Sequence, residues 1–477
     1  MRKRRVVLLE LNELSPTLVE KFIQEGRLPG FEQFRSESHV HVSESAEVAP
    51  LLDPWVQWIT VHSGLDYADH RILNLGDGHN LEFPNLWDYV SDQGGTAWVC
   101  GSMNISYKKP LRGAVLPDPW AFGVEPQPES LRPYFEFVQQ QVFDHTNPDA
   151  KFRTEDYLTF ANFMVRMGLS FKTCAAIAQQ LALEKVAKVD VRWKRATLLD
   201  ALQMDVFRSL YKDMSPTFAT FFSNSTAHYQ HMYWRNLDPS PFKVKPTDTE
   251  QAAYADAIRF GYENHDKLIR DVVDLAGKDA VIILCTALSQ QPCTRFDDEG
   301  GKHLYRPRDF DAFVHACGVS GSFTTAPVMA EQFQVLFPSS EAARKAAEQL
   351  DSAHYRGRKF LLVERKDKEL MVGCILHDTF DTSGEVAGNG FRFGFEKLLY
   401  HMEGIKSGMH HPHGIFWVRL PEKEHRIVPG TVPLNRIAPT VLSMYGMEKP
   451  AHMRGDPLPG FAPARPAPRR VGRERAA

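Results

Sequence analysis

The chain contains short apolar runs that suit only strands buried on both faces. Val6-Val7-Leu8-Leu9 is the first, within Arg5–Leu11, and Ala280-Val281-Ile282-Ile283-Leu284-Cys285 is the most complete. Neither alternates with polar residues, so neither can turn one face to water. Thr96–Cys100, Thr217–Phe222 and Gly414–Arg419 are further strands. Helix starts lie between them. Ser15-Pro16 and Asp53-Pro54 each set a preferred N-cap before a proline in the first turn, opening helices to about Glu25 and His62. His39–Val42 reads as a strand and Leu86–Ser91 as a helix, so the first hundred residues run β-α-β-α-α-β. Strands alternating with helices predict an α/β fold with a mostly parallel central sheet sandwiched by helices.

Two stretches interrupt that alternation. Residues 156–212 are helical throughout, with Leu199, Leu202, Val206 and Leu210 at helical spacing, and read as an inserted helical scaffold. Residues 325–375 read as a small α+β cap, with a strand at Gln332–Phe337, a helix at Ser340–Leu350 and strands at Lys359–Glu364 and Leu370–Cys374. The core is then 1–155, 213–324 and 376–458, including a helix at Gln251–Leu275 and another at Leu434–Tyr445. Residues 459–477, rich in proline, alanine and arginine, read as a disordered basic tail.

Composition excludes several classes of protein. A chain of 477 residues with 43% hydrophobic and 24% charged residues can bury a sizeable core, as one large domain with insertions or as two domains. A net charge of −3 gives the whole molecule no pull on nucleic acid, and no G-x-x-x-x-G-K-[ST] nucleotide loop is present. The apolar run after the basic N-terminus stops at Glu10, Asn12 and Glu13, short of the roughly 7–15 residues of a signal-peptide core, and nothing approaches the roughly 20 of a membrane span. The six cysteines are widely spaced with no C-x-x-C pair, which predicts neither a disulfide framework nor a thiolate metal site and fits a cytoplasmic protein.

Several segments together resemble the type I phosphodiesterase/nucleotide pyrophosphatase branch of the alkaline-phosphatase superfamily. VVLLELNELSPTLVEKFIQEGRLPGFEQF is similar to that family's opening strand, metal loop and helix. PWVQWITVHSGLDYADHRI is similar to its nucleophile helix, ending in Gly64 and, six residues on, His70. AHYQHMYWRNLDP matches its D-x-x-x-H-x-x-W segment. GYENHDKLIRDVVDLAGKDAVIIL precedes the position of its Ser-Asp-His-Gly turn. HHPHGIFWVRLP and VPLNRIAPTVLSMYGMEKPAHMRGDPL match its C-terminal stretch. The insertion and the cap fall outside the resemblance.

The resemblance implies a hydrolase of phosphate or sulfate esters, a phosphodiesterase, phosphatase or sulfatase. Divalent ions held by carboxylates and imidazoles would activate a nucleophile and stabilise the transferring group. The ligand positions here depart from that pattern. The family's first aspartate falls on Asn12, flanked by Glu10 and Glu13, which could substitute. Its nucleophile falls near Pro54, or with a one-residue slip on Asp53, at a helix start suited to a ligand, a carboxylate nucleophile or a plain N-cap. Its histidines fall on His231 and His410. Ala227 replaces an aspartate, and Thr286 and Ala287 replace the Asp-His pair.

Asn12 and Asp53 are therefore the catalytic candidates, and His231, His410, His228 and Glu10 the metal candidates. His228 stands three residues before His231, so both can face one side of a helix. Gln57, His62, Gln290 and His411 are the candidates for substrate contacts, and Thr60 and Gln291 are further polar neighbours. Two retained histidines and one more ligand suit one zinc-like ion rather than two. The rival reading is a catalytically degenerate relative that binds an anionic ligand or a glycan, or serves as an assembly partner.

Overall fold

A computed structural model describes residues 4–121, 123–144, 153–328, 331–402 and 404–462. The expected disordered tail lies outside the described residues from 463 onward. The main sheet and its ribbon use strands β1 (Arg5–Leu11), β2 (His39–Glu44), β3 (Ala97–Cys100), β4 (Gly113–Leu116), β5 (Phe218–Ser223), β6 (Ala280–Cys285), β7 (Ser289–Pro292), β8 (Gly408–His411), β9 (His413–Arg419) and β10 (Arg426–Pro433). The helices used below are α1 (Pro16–Gln24), α2 (Pro29–Ser36), α3 (Pro54–Ser63), α4 (Leu86–Asp92), α5 (Thr154–Arg166), α6 (Phe171–Val186), α7 (Ala196–Met214), α8 (Ser225–Leu237), α9 (Ala257–Ala276) and α10 (Ile437–Met444).

Eight strands form the central sheet in the order β10-β2-β9-β6-β1-β5-β3-β4. Only β9 runs against its neighbours β6 and β2; every other adjacent pair is parallel. The fold class is thus α/β with a mostly parallel sheet, and the strand pleat explains why it needs helices on both sides. Side chains alternate across the sheet. Val7, Leu9 and Leu11 of β1, with Ile282 and Leu284 of β6, face a cluster that includes Phe22, Phe31, Phe207, Tyr229 and Tyr262 from α1, α2, α7, α8 and α9. Val6 and Leu8, with Val281 and Ile283, face Trp58, Trp87 and Val441 from α3, α4 and α10. β1 pairs with β5 on one side and β6 on the other, so the uninterrupted apolar run sits at the centre of the sheet.

The helical stretch contains α5, α6 and α7, and its inner side chains Phe160, Phe163, Trp193 and Phe207 join the first of those clusters. The cap has its own core. Its antiparallel sheet Thr324–Pro327, Phe333–Leu336, Leu361–Lys366 and Glu369–Cys374 packs beneath the helix Ser340–Asp351. That apolar cluster also takes in Phe313 and Val314 before position 325 and Val386, Phe393 and Phe395 after position 375, so its packing reaches past the expected limits on both sides. The single helix expected at Gln251–Leu275 is two, Asp248–Tyr254 and α9, parted at Ala255-Asp256. No proline or glycine marks the break, and the apolar periodicity runs across it.

Ile283 is fully buried between Leu8 and Val418. Ile283→Ala leaves a cavity no neighbour can fill, and should cost about 2–5 kcal/mol, read as a lower chemical-unfolding midpoint.

Candidate metal centre

The carboxyl ends of the parallel strands all lie at one edge of the sheet, and the reversed β9 begins at that same edge. β1 delivers Glu13 there, α8 follows β5 and delivers His231, and β8, just before β9, delivers His410. Beyond the edge β7 and β8 continue as a two-stranded ribbon in which His410 stands opposite Gln290.

Glu13 follows the last residue pair of β1 in a left-handed backbone conformation, φ 61°, and is almost fully buried. Its Oε2 lies 3.1 Å from His231 Nε2 and 3.5 Å from His410 Nε2. Asn12 Nδ2 donates to Glu13 Oε1 at 2.8 Å, Gln290 Nε2 donates to Oε2, and Gln230 Nε2 donates to the Glu13 carbonyl at 2.7 Å. Burial drives the Glu13 carboxyl up, but the His231 and His410 imidazoles and the Gln290 amide outweigh it and hold the group at about 2. Burial, reinforced by the Lys406 charge, pulls His231 down to about 4 despite the neighbouring Glu13. At neutral pH the carboxylate is ionised and that imidazole is neutral, the forms in which both groups ligate a metal.

Each imidazole also has an acceptor beside its far nitrogen. His231 Nδ1 lies 3.3 Å from the Gly408 carbonyl oxygen, and His410 Nδ1 lies 3.2 Å from Asp53 Oδ1. The Gly408 carbonyl can only accept, so His231 donates to it through Nδ1–H and presents Nε2 to Glu13; His410 likewise sets Nδ1 beside Asp53 and Nε2 beside Glu13. Glu13 Oε2 and the two Nε2 atoms thus bring three ligand atoms to one point. A tetrahedral ion with bonds of about 2.0–2.1 Å separates its ligand atoms by about 3.4 Å, close to the two spacings at Glu13 Oε2. Glu13, His231 and His410 are the one group of three or more histidine, cysteine and carboxylate side chains among the described residues that converges in this way. The residues present therefore fit a divalent metal, with Gly408 and Asp53 as the outer partners that orient the rings.

Asp53 occupies the N-cap position of α3 but makes no side-chain capping bond. Its carboxylate turns to His410 instead. Lys406 was not among the sequence candidates. Burial and Lys302 pull its ammonium down, and Glu331, Glu13 and Asp53 hold it up. An isolated lysine between two unremarkable segments carries no sequence signal for this position.

Several other candidates lie elsewhere. Glu10 and His62 pair with each other at 2.8 Å, both fully buried, with His62 against Trp58 and Trp87. Period two puts Glu10 on the face toward α3, whereas Glu13 lies past the strand. Asn12 spends its carboxamide on structure: its oxygen accepts from Trp58 Nε1 at 2.8 Å and its nitrogen donates to Glu13 and to Asn224 Oδ1 at 2.7 Å. His228 is not in the converging group; three residues leave it about 60° around the helix from His231. Gln57 braces its own loop, accepting from Ser45 Oγ at 2.6 Å and donating to the Leu51 carbonyl at 3.1 Å. Gln290 anchors Glu13 and also donates to the Ala227 carbonyl at 3.0 Å. His411, next along β8, points opposite to His410, and its Nδ1 accepts from the His413 N–H at 3.2 Å. Thr286 Oγ1 accepts from the Ile415 N–H at 2.8 Å, so it serves the backbone.

No family model and no curated protein matches the chain. Among solved structures it is similar to phosphonoacetate hydrolase from Sinorhizobium meliloti 1021 in complex with phosphonoformate, with 12% identity over 90% of this chain and 92% of that one and a TM-score of 0.39. It is also similar to murine ectonucleotide pyrophosphatase/phosphodiesterase 5, with 10% identity over 95% of this chain and 98% of that one and a TM-score of 0.42. The human protein of that name gives 11% identity, 95% and 97% coverage, and a TM-score of 0.42.

His62→Ala strands the buried Glu10 carboxylate and should cost about 3–5 kcal/mol. Glu10→Ala combined with His62→Ala should cost less than the two single changes added together, a coupling that a double-mutant unfolding cycle reads directly.

Proposed function

We propose that the chain is a hydrolase of phosphate or sulfate esters that uses one divalent metal ion held by Glu13, His231 and His410. The observation that carries this reading is the pair of imidazoles anchored through Nδ1, with both Nε2 atoms turned to one carboxylate oxygen. Two imidazole nitrogens and a carboxylate oxygen favour zinc among common ions, and three protein ligands leave a position open. When bound, such an ion supplies Lewis-acid polarisation of the ester and a more acidic water.

The protein's own groups take the remaining roles. Asp53 and Gly408 keep the imidazoles in the ligating tautomer. Asn12 and Gln290 hold the Glu13 carboxylate in one orientation. Lys406 offers a positive charge beside the cluster for an anionic substrate. No hydroxyl stands at the start of α3, where Asp53 and Pro54 lie, which favours direct attack by water over a covalent enzyme intermediate.

A reducing, cytoplasmic setting is part of the proposal and is supported by six free cysteines. Among the described residues no helix is long and apolar enough to cross a membrane. A second reading, a non-catalytic binder of anions, is favoured by Thr286 and Ala287, which leave a second ion without ligands.

Elemental mass spectrometry of the purified protein should find about one equivalent of zinc or manganese, lost in Glu13→Gln, His231→Ala and His410→Ala. Asp53→Asn should weaken metal affinity by about 10–100-fold while leaving the fold intact. Chelator-sensitive hydrolysis of an aryl phosphate, phosphodiester or sulfate should disappear with the metal. A protein that takes up no metal after incubation with zinc and manganese defeats the proposal, and undiminished turnover in His410→Ala does so as well. Metal binding without any turnover would leave the binder.

A further inference from the structure

Helix α6 turns more apolar side chains to solvent than to the core. Its inner side carries Thr173 and Gln180, which are buried, and Ile177, which packs against the core, and the Gln180 amide donates to Glu184 Oε1 at 2.8 Å and to the Val191 carbonyl at 2.9 Å. Its outer side carries Phe171, Cys174, Ala175, Ala178, Leu181, Ala182 and Val186, all exposed. Phe171 is 89% exposed, Val186 76% and Leu181 50%. At about 100° per residue these seven positions fill one stripe about 140° wide along a helix about 24 Å long. Monomeric proteins rarely leave a continuous apolar face of this kind in water.

We propose that this stripe is the contact between two copies of the chain, packed α6 against α6 in antiparallel fashion about a two-fold axis at Ala178. The stripe is complementary to itself under that operation. Ala178 meets Ala178 at the axis, where small side chains let the helices approach to about 8 Å. Leu181 of each copy lies over Ala175 of the other, a large residue over a small one, and Cys174 faces Ala182. Phe171 meets Lys185 and Val186 of the second copy, setting the Lys185 ammonium, the one charge within the stripe, against an aromatic ring.

The occupant is chosen on charge and area. The stripe has no carboxylate, so two copies meet without like acidic charges. An anionic lipid surface is disfavoured because the molecule carries a net charge of −3 and the basic side chains of α6 are few, with Lys172 already paired to Asp271 at 2.9 Å. Two stripes of this length cover a total of about 1,000 Å², the size of a weak, reversible contact rather than of an obligate dimer, so association is to be sought through the micromolar range.

Sedimentation velocity on the full chain tests this. The weight-average mass should rise from 54.2 kDa toward twice that value as concentration increases through the micromolar range, and Ala178→Glu should hold it at the monomer value with unchanged circular dichroism. In a Cys174→Ser background, Ala178→Cys should form an interchain disulfide on mild oxidation. Cys174 of the wild type should not, because the two copies of it sit about 12 Å apart along the helices. A chain still monomeric at about 100 µM overturns the proposal. So does a dimer that persists in both Ala178→Glu and Leu181→Glu. Monomers that instead sediment with vesicles of equimolar phosphatidylcholine and phosphatidylserine would assign the face to lipid and overturn it equally. Should Ala178→Glu fail to fold, the wild-type mass and the cross-link still decide.

Discussion

Glu13 is an ionised carboxylate buried at the end of the central strand, and the local structure is organised around compensating it. A charge removed from water must be matched by donors or by an opposite charge, or it takes up a proton. Asn12 and Gln290 supply donors, and His231 and His410 bring their ring nitrogens to the same carboxylate oxygen from other parts of the chain. Their own supports follow in turn. Trp58 and Asn224 hold Asn12, the Ala227 carbonyl holds Gln290, and Tyr262 OH donates to Gln230, which grips the Glu13 backbone. The left-handed φ at Glu13 fits this dense set of contacts, since a non-glycine residue keeps such a conformation where its surroundings fix it.

The three donors converge at this edge because of strand direction. Parallel strands end together, and their following segments converge there. β9 joins the arrangement from the opposite direction: its first residues, with the ribbon before them, lie where the other strands finish. A parallel strand in that place would have brought its ligand to the edge only at its end. One reversal lets His410 reach Glu13 directly, while Gln290 arrives on the other arm of the same ribbon.

Much of the fold was legible in the sequence for a simple reason. The runs at Val6–Leu9 and Ala280–Cys285 are apolar on both strand faces, which fits the interior of a sheet covered by helices on both sides. The cap's limits were harder to read, because residues as far apart as Phe313 and Phe395 complete one small core, and no local pattern links them. At the site, His231 and His410 were readable from their motif positions. The third donor required knowing where a strand ends. Glu10 and Glu13 look alike in sequence, and only the pleat and the turn after Leu11 send one to His62 and the other to the converging imidazoles. Asp53 looked like an ordinary cap until its carboxylate was seen to face His410, and Lys406 had no motif at all.

The three converging donors lie at positions 13, 231 and 410, spread over almost the entire chain. A partly folded molecule, or one whose last strands have not docked, holds at most two of them near each other. The long loops between the donors must close before the cluster exists, and that closure is the slow, non-local part of assembly. A ligand held by all three would bind the completed molecule and not its precursors, so its binding energy would add wholly to the stability of the finished fold. The site would act as a latch, engaging only after β1 and β9 have come together on either side of β6.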